Sequence, residues 1–383
     1  MDLIPRILAK TIAKNQKRGQ INVIYGPRQV GKTTLLRQLV SDLKPKNFLW
    51  LNGDLRETNL LLSQPSLTQL TNLVKDYQVV VVDEAQRITN IGLVLKILID
   101  YFPKKIFYVS GSSSLALARG IQEPLTGRTQ KYRLFPLSIN ELGRQLPQYQ
   151  RATLLEEALV FGGYPYLTQL KTPKEKTNYL YSLIDDYLFR DILALKEVGV
   201  PENLRKLATL LAFQIGQKVS LNELANNLNI DVKTVRRYLE LLKQGFIILE
   251  ISSFSRNLRK EVAKGKKYYF WDLGIRNALI GQFLPLDQRA DRGQLWENFL
   301  AVERVKKHEY QRDRINYYFW RTYDQVEIDW VEVDPYGKIK AFEFKWQKAK
   351  RQAPKSWRQN YPESSWQCIT QENFWPFINS NSD

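Results

Sequence analysis

Apolar residues in the first third of the chain fall into short runs separated by stretches of helical spacing. Ile21–Tyr25, Asn47–Asn52 and Lys105–Ser110 read as strands, and Val79–Asp83 is an unbroken valine run of the kind buried on both faces of a parallel sheet. Thr33–Leu43 and Ile91–Tyr101 carry helical periodicity between them. Strands alternating with helices predict a three-layer α/β domain over residues 1–145, closed where Pro147 and polar residues interrupt the pattern. Residues 146–212 read as helical, as in Tyr179–Leu195, with a break at Phe161–Tyr166 where Gly162, Gly163 and Pro165 cluster. Over residues 213–280 the order changes. Helix Leu221–Leu228, a turn at Asn229–Asp231, helix Val232–Gln244, the stop at Gly245 and strand Phe246–Ile251 follow the order of a winged helix-turn-helix. Lys233, Thr234, Arg236 and Arg237 fall on the outer side of its second helix, and Lys260, Lys264, Lys266 and Lys267 precede strand Tyr268–Trp271, where a wing is expected. Residues 281–383 read as helix Gly293–Lys307, strands Ile315–Arg321 and Val326–Val333, turn Asp334–Gly337 and strand Lys338–Trp346, an α+β order.

Composition narrows the function classes. Hydrophobic residues at 44% and charged residues at 25% describe a globular chain of 383 residues, long enough for two or three cores. Val79–Val82 and Phe246–Leu249 are strand-sized, far short of the roughly 20 apolar residues that span a bilayer, and Met1–Lys10 lacks a secretory apolar segment. The single Cys368 leaves no intramolecular disulfide and fits a reducing cytosol, so the expected location is cytoplasmic, with no membrane partner. With one histidine, His308, and one cysteine, a Cys/His zinc site is not expected; His308 in Lys306-Lys307-His308 is read as solvated. A formal charge of +18 and a pI near 9.7 favour a polyanionic partner, DNA first; the plainer reading is a soluble protein with a basic surface.

The sharpest chemistry lies after the first strand. Gly26, Pro27, Arg28, Gln29, Val30, Gly31, Lys32 and Thr33 match G-x-x-x-x-G-K-[ST], between an apolar strand and a helix. Glycine lets backbone amides turn inward around phosphate oxygens, and the helix N-terminus, extending to Thr34, adds its dipole. Lys32 is expected at the β- and γ-phosphates of ATP and Thr33 on Mg²⁺. Val79–Val82 ending in Asp83 and Glu84 puts two acids at the carboxyl edge of the sheet; Asp83 would belong to the Mg²⁺ shell and Glu84 would activate water as general base. Ser110, Ser112 and Ser113 end the next strand and either orient the γ-phosphate or close a Ser/Gly loop. Arg128 after Gly127 is either an arginine finger for a neighbouring subunit's nucleotide, which implies a homo-oligomer, or a surface arginine.

These motifs resemble prokaryotic AAA-type ATPases in which the P-loop domain is followed by a winged helix and a C-terminal restriction-endonuclease-like domain of unassigned role. The resemblance is carried, in order, by GPRQVGKTTLL, VVVVDEAQ, YVSGSSSLAL, LTGR, LFPLSINEL, FGGYP, YYFWDLGI, WENFLAVE, EIDWVEV and AFEFKW, spread over nearly the whole chain. It implies ATP binding and says little about substrate.

Near the end, Glu297, Asp329, Glu343 and Lys345 form a second constellation. Glu343 and Lys345 are two apart on one strand and share a face, an acid-then-Glu-x-Lys pattern that could hold Mg²⁺ on Glu297, Asp329 and Glu343, with Lys345 positioning a water. The alternative is a hairpin with cross-strand charge pairs on its solvent face, or Glu327 replacing Asp329 in another register. Trp296, Trp320, Trp330 and Trp346 read as core rather than as base-stacking platforms. Three functions compete: an ATP-driven, DNA-associated protein; an ATP-gated, Mg²⁺-dependent nuclease; and a non-enzymatic nucleotide switch controlling assembly.

Overall fold

The computed structural model describes residues 4–112, 125, 127–144, 147–185, 201–255, 265–322, 324–347 and 352–379. It divides into two compact units, Met1–Phe135 and Pro136–Asp383.

The first unit is built on a five-stranded sheet. Its strands are β1 (Ile21–Tyr25), β2 (Phe48–Asn52), β3 (Val79–Asp83), β4 (Ile106–Gly111) and β5 (Thr129–Arg133), in the order β2-β3-β4-β1-β5 and all parallel. The helices are α1 (Ile7–Asn15), α2 (Lys32–Leu43), α3 (Arg56–Ser63), α4 (Leu67–Val74) and α5 (Ile91–Tyr101). The valine run behaves as its composition requires: all five residues of β3 are buried, and Val80, Val82, Phe107, Val109, Leu95 and Leu98 share one core. Strand β5 has no apolar run to announce it. It is an edge strand in which only Tyr132 is buried, with Thr129 and Gln130 half-buried and Lys131 and Arg133 exposed. The first unit ends at Phe135. The reason is local: Leu137 N donates to Gly163 O at 2.7 Å and Ile139 N to Glu303 Oε2 at 2.9 Å, which ties LFPLSINEL past Phe135 to the second unit.

The second unit contains helices α6 (Ile139–Leu142), α7 (Arg151–Phe161), α8 (Pro173–Leu183), α9 (Pro201–Phe213), α10 (Leu221–Leu228), α11 (Val232–Gln244), α12 (Leu273–Leu279), α13 (Arg292–Gln311), α14 (Lys355–Asn360) and α15 (Phe374–Ile378). The far half of the expected Tyr179–Leu195 helix lies outside the described residues. Seven strands form one sheet: β6 (Lys218–Val219), β7 (Ile248–Ser253), β8 (Lys266–Phe270), β9 (Asn316–Arg321), β10 (Glu327–Val333), β11 (Ile339–Phe344) and β12 (Ser365–Ile369), ordered β12-β11-β10-β9-β7-β8-β6. Helices α10 and α11 lie between β6 and β7, and β8 pairs with both strands. Asp231 caps α11 by accepting from Thr234 N at 2.8 Å, and Val235, Tyr238, Leu239 and Leu242 bury its inner face. These strands lie in one sheet with those of the C-terminal part. β7 pairs in parallel with β9 through Ser252↔Tyr318 and Ser253↔Phe319, and Phe254 N extends the ladder to Phe319 O. An unpaired edge on β7 would leave backbone donors and acceptors bare, and β9 covers it.

On the C-terminal half, α13 covers one face of the sheet. On the other, Phe254, Trp320, Ile328, Val331, Trp357 and Tyr361 form a second core. Ile328 and Val331 reach that core three residues apart because β10 bulges between them against β9. Trp296, Trp320 and Trp330 are buried and Trp346 is half-buried against Trp296, which makes them core residues.

Two expectations are corrected. His308 is not solvated: it is 7% exposed, with Nδ1 2.9 Å from Asp313 Oδ2 and Nε2 3.5 Å from Glu332 Oε1. Arg304 grips Glu332 with Nε at 2.7 Å and Nη2 at 2.9 Å, so the basic end of α13 folds onto acids of the sheet rather than into water. Lys267 is not a wing residue; it is 1% exposed. Lys266 pairs with Glu250, while Lys260 and Lys264 lie outside the described residues.

Candidate functional site

β1 ends at Tyr25, and the chain turns at once into the phosphate loop. Gly26 has no substitute there, because a Cβ would lie 2.0 Å from Leu134 O. Gln29 and Gly31 take positive φ values of 60° and 90°, which folds the loop back toward the start of α2. The first helical bond is Leu35 N to Gly31 O at 2.9 Å, so the amides of Lys32, Thr33 and Thr34 form the open N-terminal turn of a helix, a place that favours anions. Lys32 is 5% exposed, and its ammonium donates to Gly26 O at 3.1 Å and Pro27 O at 3.0 Å. Pro27 and Val30 are buried, Arg28 and Thr33 half-buried, and Gln29 and Thr34 exposed.

Parallel register brings the acids to the same sheet edge. Tyr25 pairs with Gly111, Ile24 with Ser110, Val82 with Val109 and Asn52 with Asp83. Asp83 is buried at 3% exposure, and the Ser110 hydroxyl bonds its Oδ1. Glu84 N donates to Asp83 Oδ1 at 3.2 Å and to Ser110 Oγ at 3.1 Å. Glu84 itself holds a left-handed backbone, φ 51°, uncommon for a residue with a side chain and a form of strain that collects at functional sites. Gln86 Nε2 donates to Glu84 Oε2, and Gln86 Oε1 accepts from Ser112 N at 3.3 Å. Ser110, Glu84, Gln86 and Ser112 thus form one hydrogen-bonded chain beside Asp83. Sequence reasoning gave Ser112 and passed over Gln86; the signal was present in VVVVDEAQ, two residues beyond the acid. Ser113 lies outside the described residues. Thr33 and Asp83 supply a hydroxyl and a carboxylate, the hard oxygen donors that suit Mg²⁺ beside phosphate oxygens.

Arg128 is elsewhere. Ile21 N donates to Arg128 O at 2.8 Å, which puts Arg128 at the amino edge of the sheet, about 13 Å along β1 from Tyr25. Its guanidinium pairs with Asp100. It takes no part in the phosphate site of its own chain.

The C-terminal constellation comes together with one member that sequence reasoning misplaced. Glu297 on α13, Glu327 and Asp329 on β10, and Glu343 and Lys345 at the end of β11 gather around Lys267 from β8. The Lys267 ammonium lies 2.9 Å from Glu297 Oε1 and also pairs with Glu327, Tyr269 donates to Glu297 at 2.7 Å, and Lys345 sits 2.9 Å from Glu343. Asp329 accepts from Phe344 N at 2.8 Å; burial, then the Glu297 and Glu343 charges, push its pKa up to about 7. Burial alone would depress Lys267, but Glu297, Glu327 and Asp329 hold it above the usual lysine range. Among the described residues no three carboxylate, imidazole or thiolate groups converge to hold a metal ion. Asp329 lies within electrostatic reach of Glu297 and Glu343, the residues expected to hold Mg²⁺ with it, and Lys267 stands among them. A buried ammonium supplies the positive charge, and nothing in α13 or β10 betrays a partner on β8.

Comparison with known proteins matches three successive stretches of the chain. A family model described as an AAA domain matches residues 18–143, one described as a domain of unknown function (DUF8612) matches 152–286, and a second domain of unknown function (DUF4143) matches 292–373. An uncharacterized protein of Mycobacterium tuberculosis is 29% identical over 340 residues, covering 87% of this chain and 72% of its own length; one of Mycobacterium bovis gives the same values. An uncharacterized protein of Methanocaldococcus jannaschii is 24% identical over 330 residues, covering 82% and 72%. The crystal structure of Cdc6p from Pyrobaculum aerophilum aligns with 72% of this chain and 92% of that one at 13% identity, with a TM-score of 0.28, too low to carry an argument. Described residues contain no helix long and apolar enough to cross a membrane. With a phosphate loop and paired acids on one edge of a parallel sheet, and an AAA match ahead of two matches to domains of unknown function, the chain is similar to AAA-type P-loop ATPases that carry a C-terminal domain of unknown function.

Proposed function

We propose that the first unit binds ATP with Mg²⁺ and hydrolyses it, and that the second unit associates with DNA. The observation that carries the first part is the convergence at one sheet edge of the 26–34 loop, the buried Lys32 and Asp83, and Glu84 braced by Ser110 and Gln86. The loop amides receive the phosphates, and Lys32 exchanges its two carbonyl partners for phosphate oxygens. Thr33 and Asp83 would hold Mg²⁺, which when bound neutralises charge on the β- and γ-phosphates. Ser110 and the Glu84 amide fix the Asp83 carboxylate, and Gln86 orients the Glu84 carboxylate to take a proton from water. Arg128 would act on another subunit's nucleotide only by leaving Asp100. Lys32→Ala is expected to weaken ATP binding about 100-fold, on the order of 3 kcal/mol for the charge-assisted hydrogen bonds it removes. Titration with a fluorescent ATP analogue measures it, and unchanged affinity would remove the site.

The DNA part rests on α11. Lys233, Arg236 and Arg237 are exposed on the face opposite Val235, Tyr238 and Leu242, at the position of a recognition helix. Changing all three to Glu is expected to weaken duplex DNA binding at least about 10-fold at low salt. The log–log salt slope is expected to fall by about one for each phosphate that the variant no longer neutralises. Equal affinity of the triple variant and the unaltered chain, measured by fluorescence anisotropy, would refute this surface.

A further inference from the structure

Arg6 precedes α1, far in sequence from any motif, yet it is 5% exposed and lies under the phosphate loop. Its Nη1 donates to Val30 O at 3.0 Å and its Nη2 to Phe135 O at 2.5 Å. Val30 is fully buried between the two positive-φ residues of the loop, and Phe135 is the last residue of the first unit. A second brace runs alongside. Leu134 N donates to Tyr25 O at 2.8 Å, and Leu134 O occupies the space that only a glycine at position 26 leaves. The phosphate loop is therefore fastened at its entrance and at its middle to two consecutive residues, and the chain leaves the unit directly after them.

We propose that Arg6 is a positioning residue that transmits occupancy of the phosphate loop to the exit segment 134–136, so that nucleotide binding is felt where the chain passes into its second unit. The proposal rests on the nucleotide reading above. A guanidinium suits this role because its planar fork serves two carbonyls at fixed separation, where a lysine ammonium serves as a single point. Phosphates drawn onto the loop amides fix the 29–31 backbone; Val30 O is then fixed, and the fork passes the constraint to Phe135 O. Lys32 acts on the same backbone, because phosphate oxygens compete for its ammonium with Gly26 O and Pro27 O.

Hydrogen exchange of the full chain with and without ATPγS and Mg²⁺ tests this. In the unaltered protein, ATPγS is expected to slow exchange in peptides covering both 26–36 and 129–144. In Arg6→Gln, protection of 26–36 is expected to persist with affinity within about fivefold, while nucleotide-dependent protection of 129–144 falls at least tenfold. Arg6→Lys is expected to lie between them, since it keeps the charge and loses the fork. Protection of 26–36 without protection of 129–144 in the unaltered chain would overturn the proposal and leave the nucleotide site standing; so would equal protection of 129–144 in Arg6→Gln. No protection of 26–36 would remove the nucleotide reading itself. If Arg6→Gln fails to fold, the unaltered chain and Arg6→Lys still decide between these outcomes.

Discussion

Glu84→Gln is expected to bind ATP with affinity near that of the unaltered protein and to hydrolyse it about 100- to 10,000-fold more slowly, the range attributable to one general base. The amide keeps the size of the side chain and its hydrogen bond from Gln86, and it loses only the capacity to take a proton. The backbone at Glu84 is set by its own N–H, which bonds Asp83 and Ser110, so the substitution leaves the left-handed turn intact. Single-turnover hydrolysis alongside analogue binding separates the two effects. Turnover at the unaltered rate would show that another group accepts the proton, and loss of both would show that Glu84 serves binding.

The second large effect concerns stability. Lys267→Met is expected to cost about 3–5 kcal/mol, because it leaves Glu297, Glu327 and Asp329 in the protein with their shared buried counter-charge gone. Urea unfolding followed by tryptophan fluorescence reports on this half of the chain, where Trp296, Trp320 and Trp330 are buried. The pH dependence has a definite sign. Removing the ammonium takes away a charge that lowers the raised Asp329 carboxyl, which then rises further above its unfolded value. The stabilisation it brings is complete below that unfolded value and is lost as pH rises through the folded one. The deficit should therefore shrink between pH 7 and pH 5. Asp329, already raised to about 7, gives the unaltered protein a weaker trend of the same sign. A deficit under about 1 kcal/mol, well below the cost of breaking a buried pair, would mean that water replaces the ammonium.

The elements that could be read from the chain are those whose information is local. Helices α5, α10 and α11 run as expected, from Ile91 to Tyr101, Leu221 to Leu228 and Val232 to Gln244, because periodicity, the caps at Ser220 and Asp231 and the αL residue at Asn229 all lie within the segment. The phosphate loop and the Asp83–Glu84 pair were legible for the same reason. What escaped was decided across distance. β5 is a strand only because β1 offers it an edge, and its own residues are polar. Lys267 reads as one of a run of wing lysines until α13 and β10 close over it. His308 reads as solvated until Glu332, far along the chain, turns toward it. Arg6 carried no motif at all, and its role depends on two backbone carbonyls, which a pattern of side chains does not encode.

The sheet of the second unit has one more consequence. Because β7 pairs with β9, strands β6–β8 and β9–β12 share one sheet and are expected to melt as a single cooperative body. A fragment cut at residue 280 would expose a naked strand ready to pair with its twin, and so invite aggregation rather than yield an isolated folded piece.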